Sequence, residues 1–182
     1  MNVYDFDKTI FRGDSTARFF GFCLKRHPLI ARRLPVVSFE ALLLLTGKTD
    51  KTGFKGRLFS FLRNIPDVEA EVAAFWSENA GRIKPWYLAQ KRPDDLVISA
   101  GPEFLLRPVC PRLIASRVDP KTGAYSGRNC DGEEKLLRFR SEFGDAAIDA
   151  FYSDSMSDAP LAKAAARAYL VKGDQVSPWP DR

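Results

Sequence analysis

The sequence predicts an α/β fold in which a mostly parallel sheet carries an all-helical insertion after its first strand. Three observations predict it. A short apolar run over residues 2–6 opens the chain and ends in an acidic pair. Over residues 14–92, apolar side chains recur at helical spacing without strand alternation. After residue 92, short apolar runs alternate with helical stretches, the pattern of a parallel sheet.

Taken in order, residues 2–6 read as a buried strand with Asp5 at its C-terminal end. Asp14 is a candidate N-cap, and Phe19, Phe20, Cys23 and Leu24 fall at helical spacing behind it. Pro28, Pro35, Gly47, Gly53, Pro66 and Pro85 divide the insertion into four or five helices, one starting at Pro66-Asp67 with an acidic first turn. Leu96-Val97-Ile98 and Leu113-Ile114-Ala115 read as strands; helices over 133–143 and 157–167 alternate with strands over 148–152 and 168–171. Asp119-Pro120-Lys121-Thr122-Gly123 is a turn sequence that predicts a β-hairpin before Asn129. Residues 1–13 and 93–182 would then form an α/β core and residues 14–92 the helical insertion.

Composition removes several classes. A chain of 182 residues with 45% hydrophobic and 28% charged residues buries a real core and is neither disordered nor a small disulfide scaffold. Cys23, Cys110 and Cys130 lie far apart with no C-x-x-C pair, which predicts a reducing, cytoplasmic setting. His27 is the single histidine, so a multi-histidine metal site is excluded; its place before Pro28 reads as a helix end. The N-terminus lacks a basic segment followed by an apolar run, so no secretory signal is expected. Residues 34–45 are the most apolar stretch but are interrupted by Ser38 and Glu40 and fall short of the ~20 residues that span a bilayer. They read as a buried helix, with peripheral membrane contact as the alternative because Arg32, Arg33 and Lys48 flank them. A net charge of +5 suits an anionic ligand; Arg32-Arg33 has no nucleic-acid-binding motif around it, so no nucleic-acid partner is expected.

The chemistry lies in four places. Asp5 and Asp7, two residues apart at a strand end, repel each other unless a cation intervenes, and Mg²⁺ is the natural cation. Tyr152-Ser153-Asp154-Ser155-Met156-Ser157-Asp158 follows a later strand and supplies a second acidic cluster. Ser99-Ala100-Gly101 ends a third strand with a hydroxyl and backbone N–H groups, and Lys135 opens a helix with a cation. In open α/β sheets, loops at strand ends line the ligand crevice.

In that order, D-x-D-x-T, S-A-G, a lysine and S-D-S-x-S-D over residues 3–158 resemble the four motifs of the haloacid dehalogenase superfamily. The helical insertion resembles the C1 cap of its phosphoserine phosphatase-like and phosphatidylglycerophosphatase-like branch. The resemblance implies a three-layer Rossmann-like core and a Mg²⁺-dependent phosphatase working through an aspartyl-phosphate. Asp5 would be the nucleophile, Asp7 the general acid and base, and Ser99, Ala100 and Lys135 the phosphate-binding residues. Asp5, the Asp7 carbonyl and Asp154 would hold the metal, with Asp158 behind them. Asp14, nine residues after the nucleophile, and Arg57 resemble the cap residues that face an amino-acid phosphate, with Lys51 and Lys55 as further polar candidates. Ser153 and Ala100 depart from the commoner pattern, which has glycine at both places. Asp7-Lys8-Thr9 also resembles the D-K-T of ion pumps, but Ile10-Phe11 replaces the G-T that follows there. The implied substrate is a small phosphorylated metabolite; the alternatives are a lipid phosphate at a membrane surface and a phosphate-binding regulatory module without turnover.

Overall fold

The computed structural model describes residues 1–33 and 58–180. The sheet is built around β1 (Asn2–Tyr4), whose alternation sends Val3 and Tyr4 to opposite faces, both fully buried. Two-sided burial is what a central parallel strand requires. β1 pairs with β2 (Leu96–Pro102) on one side and with β4 (Ile148–Ser153) on the other, both parallel. β3 (Leu113–Ser116) extends the sheet beyond β2, and β5 (Ala165–Lys172) beyond β4. β6 (Gln175–Pro178) closes the far edge antiparallel to β5, giving the order β3-β2-β1-β4-β5-β6.

Helices cover both faces, so the fold is the three-layer α/β arrangement expected. On one face Val3, Ile98 and Phe151 pack with Phe139 of α5 (Glu133–Phe143) and Leu161 of α6 (Ala159–Ala164). On the other, Tyr4 and Val97 share a cluster with Phe19 of α1 (Ser15–Arg26), Phe75 and Trp76 of α2 (Val68–Asn79), and Leu105 of α4 (Glu103–Leu106). Register also stacks side chains on this face: Tyr4, Tyr152 and Tyr169 lie level on β1, β4 and β5 with ring centroids 4.8 Å apart at each step. The ladder packs beneath Trp86 of the short helix α3 (Pro85–Gln90).

Among the described residues between 14 and 92 every regular element is helical, apart from an isolated bridge of Ile83 to Phe11. Both predicted helix starts form. Asp14 accepts from the Ala17 amide at 2.8 Å and Asp67 from the Ala70 amide at 2.9 Å, each satisfying an otherwise orphan donor. α1 ends at His27, as the sequence predicts, and Arg26 of its last turn reaches Glu71 of α2 at 2.7 Å. Burial would raise the Glu71 carboxyl, but the hydrogen bonds from Arg26, with His27 Nε2 3.1 Å away, prevail and hold it below its ordinary value.

Three features differ from the sequence expectation. The helix expected over 157–167 stops at Ala164, because the small apolar run Ala164-Ala165-Ala166 fits either state and Ala165 pairs with Ile148 in β5. β6, which no sequence pattern announces, follows a tight turn at Gly173, where φ is +61°. The hairpin expected around residues 119–123 is a turn closed by a single antiparallel bridge, Val118 to Tyr125. Gly123 is required there: φ is +74°, and a Cβ would lie 2.1 Å from the Phe59 carbonyl oxygen. Arg57, Lys51, Lys55 and the apolar segment 34–45 lie outside the described residues. No helix among the described residues is long and apolar enough to cross a membrane.

Candidate active site

The carboxyl edge of the sheet gathers the residues that the motifs single out. Asp5 follows β1 directly, and its amide continues the pairing with β4 by donating to the Tyr152 carbonyl at 2.8 Å. Beyond it the chain coils tightly, with the Ile10 and Phe11 amides both bonding the Phe6 carbonyl and Lys8 in the left-handed region at φ +59°. A non-glycine residue there stores strain that the surrounding contacts must hold.

That coil turns Thr9 back onto Asp5. The buried Thr9 hydroxyl donates to Asp5 Oδ2 at 2.9 Å and accepts from the Asp154 amide at 2.9 Å, so one side chain fixes the carboxylate of β1 to the loop after β4. The other oxygen, Asp5 Oδ1, accepts from Lys135 Nζ at 2.6 Å. Lys135 arrives from the first turn of α5, is 2% exposed, and also donates to Asp158 Oδ2 at 2.7 Å. Ser153 donates to the same Asp158 oxygen at 2.7 Å, and Asp158 Oδ1 is buried without a partner among the described residues.

Electrostatics follow from one ammonium among several carboxylates. Burial is the largest influence on Asp5 and pushes it up to about 6; Lys135 pulls against this, while Asp158 and Asp154 add to it. Lys135 is held above its ordinary value, because Asp5 and Asp158 outweigh the burial that opposes its charge. Asp154 is raised, chiefly by burial, against the pull of Lys8, Lys172 and Lys135.

Asp7 takes a different environment two residues on. Its Oδ1 accepts from the Ser15 amide at 2.7 Å, at the start of α1. Burial, then the Asp14 charge, push it up to about 7 despite the Ser15 bonds. Such a carboxyl holds its proton close to neutral pH, the range in which general acids and bases work.

Ser99 is on β2, where Tyr4 pairs with Val97, so it reaches the same sheet edge as Asp5. It is 1% exposed and its oxygen accepts from the Gly101 amide at 3.0 Å. The Ala100 carbonyl accepts from the Ser116 hydroxyl at 3.1 Å. The structure therefore brings Asp5, Lys135 and Asp158 into direct contact and links Asp154 to them through Thr9. Asp14 is exposed and engaged as the helix cap.

A hard divalent cation fits these donors. Burial raises the carboxyls of both Asp5 and Asp154, with Asp158 and Asp154 adding to Asp5 and Asp158 adding to Asp154, and a bound cation would relieve that repulsion. Among the described residues no three His, Cys, Asp or Glu side chains group to hold a metal.

Two contacts carry no assignment from the sequence. Thr9 is part of the first motif, but its bridging position depends on the coil over residues 6–13. Ser153, which replaces the commoner glycine, positions Asp158. A hydroxyl five residues before a buried aspartate is the signal that could have found it.

Solved structures with the same fold include a protein of unknown function from Bordetella pertussis Tohama I, with 20% identity, a TM-score of 0.74, and 92% of this chain and 87% of that one covered. Another is a phosphoserine phosphohydrolase-like protein from Francisella tularensis subsp. tularensis SCHU S4, with 15% identity, a TM-score of 0.54, and coverage of 92% and 86%. No curated protein matches the chain. The profile of the haloacid dehalogenase-like hydrolases matches residues 3–163, spanning all four motif positions, and the chain belongs to that family.

Proposed function

We propose that the protein is a Mg²⁺-dependent phosphomonoester phosphatase in which Asp5 is the nucleophile. The observation that carries this reading is the position of Asp5: one carboxylate oxygen on the Lys135 ammonium, the other on Thr9, at the strand end where Asp154 also arrives. The family membership and the fold shared with a phosphoserine phosphohydrolase-like protein support it.

An Asp5 oxygen forms a bond to phosphorus as the bond from phosphorus to the ester oxygen breaks, and the departing alkoxide takes the proton held by Asp7. Water then attacks the phosphorus of the aspartyl-phosphate, giving its proton to the Asp7 carboxylate. The bond between Asp5 and phosphorus breaks and inorganic phosphate leaves. Lys135 neutralises charge on the transferring group, and Ser99 with the backbone at Ala100 holds its oxygens. Asp158 and Ser153 keep Lys135 aimed at Asp5. Bound Mg²⁺, held by Asp5, Asp154 and the Asp7 carbonyl, supplies charge neutralisation that lets an anionic nucleophile approach an anionic phosphate. The helical insertion acts as the cap that selects the leaving group.

The test is a phosphate-release screen over phosphomonoesters, phosphoserine and a lipid phosphate included, with Mg²⁺ or EDTA and with Asp5→Asn as control. Turnover that requires Mg²⁺ and Asp5 supports the reading. No ester hydrolysed above the control would refute it and favour a binding module.

A further inference from the structure

A second concave region opens beside the catalytic loop, a cavity of about 560 Å³ walled by Lys8, Arg12, Lys84, Asp154, Lys172 and Asp174. Its charge is unbalanced, with four cationic side chains facing two carboxylates. The Asp174 carboxylate is already paired with Arg12 at 2.9 Å, and Asp154 belongs to the catalytic set.

Lys84 makes the imbalance acute. It is 2% exposed, yet among the described residues no carboxylate lies within ion-pair distance of its ammonium. Nζ donates instead to two backbone carbonyls, Lys8 at 2.7 Å and Gly173. Those bonds use two of its three N–H donors. Burial pulls the Lys84 pKa down and outweighs the more distant Asp174 and Asp154 carboxylates, so its ammonium is incompletely balanced. An anion in the cavity would supply the missing partner.

Connectivity ties the cavity to the reaction. Asp154 is part of its wall, Lys172 donates to the Asp154 carbonyl, and the Asp154 amide is joined through Thr9 to Asp5. Lys84 also holds the carbonyl of Lys8, the residue between Asp7 and Thr9. Asp154 is the residue that the cavity shares with the candidate phosphoryl site.

We propose that this cavity takes a second anionic group of the substrate, a carboxylate or a phosphate carried on the leaving group, so that the preferred esters are bis-anionic. The assignment rests on the phosphatase reading, and the cations that make it are Lys8, Arg12, Lys84 and Lys172.

The experiment compares kcat/KM for phenyl phosphate, whose leaving group has no second charge, with phosphoglycolate and propanediol bisphosphate. The bis-anionic esters are preferred by about tenfold or more, the ratio one charge-assisted hydrogen bond supplies. Arg12→Ala reduces that preference and Asp174→Asn, which releases Arg12, increases it; both side chains are exposed and neither touches Asp5. Equal kcat/KM for all three esters in an active wild type, or an equal loss on all three in Arg12→Ala, would overturn the site. Free inorganic phosphate or acetate accelerating phenyl phosphate turnover, with no preference among esters, would make the cavity an effector site and refute the substrate assignment. Calorimetric titration of the three esters into Asp5→Asn separates this proposal from the phosphatase reading. Tighter binding of the bis-anionic esters, lost with Arg12→Ala, in a protein whose wild type hydrolyses nothing would refute the phosphatase and retain the anion site.

Discussion

Lys135 and Lys84 are each 2% exposed, and the contrast between them organises the carboxyl edge of the sheet. Lys135 lies between two carboxylates, Asp5 and Asp158, and its charge is more than balanced. Lys84 lies between two carbonyls, which solvate an ammonium without cancelling it. One is a closed element that holds Asp5, the proposed nucleophile; the other leaves positive charge in a cavity wall. Burial alone says nothing about the role of a lysine; the charge of its partners does.

The largest expected effect tests the Lys135 side of the contrast. Asp5→Asn removes the nucleophile and should lower kcat by about 10⁴-fold or more, measured by phosphate release with saturating Mg²⁺. Asp7→Asn should cost about 10²–10⁴-fold, the usual contribution of a general acid and base.

Stability then separates the two lysines. Lys135→Met strands two buried carboxylates and should cost about 3–5 kcal/mol in urea unfolding. Lys84→Met strands only two carbonyls and removes an unpaired charge, so its cost should stay within about 1–3 kcal/mol. Equal costs would dissolve the contrast.

Smaller effects concern pH. The Asp7 carboxyl is raised from 3.8 to about 7, so its protonation contributes stability that is full below about 3.8 and is lost as pH rises through about 7. Metal-free protein should therefore melt higher at pH 6 than at pH 8 as far as Asp7 is concerned, and Asp7→Asn should raise Tm at pH 8 while lowering turnover. Glu71 has the opposite sign. Its depressed carboxyl stabilises above the ordinary value of 4.5 and loses that contribution as pH falls through its lowered value. Glu71→Gln should thus lower Tm at pH 7 and narrow the difference at low pH.

Much of this architecture is legible in the sequence, for identifiable reasons. Asp5, Asp7, Asp154 and Asp158 follow apolar strand runs, and strand ends are where a parallel sheet presents its chemistry. Asp14 and Asp67 announce helix starts because capping is a local event. Lys84 is illegible because its partners are carbonyls 76 and 89 residues away, and backbone acceptors leave no pattern in side chains. Ala164-Ala165-Ala166 conceals the start of β5 because alanine fits helix and strand alike, and only pairing with Ile148 decides it. Arg57, the other expected cap contact, lies outside the described residues.

The most direct measurement is acid-quenched mass spectrometry of the protein during turnover of a hydrolysed ester with Mg²⁺. A phosphoryl adduct should appear on the peptide that carries Asp5 and be absent from Asp5→Asn. Hydrolysis continuing in Asp5→Asn, or an adduct on any other residue, would contradict the assignment of Asp5 as the nucleophile held by Lys135 and Thr9.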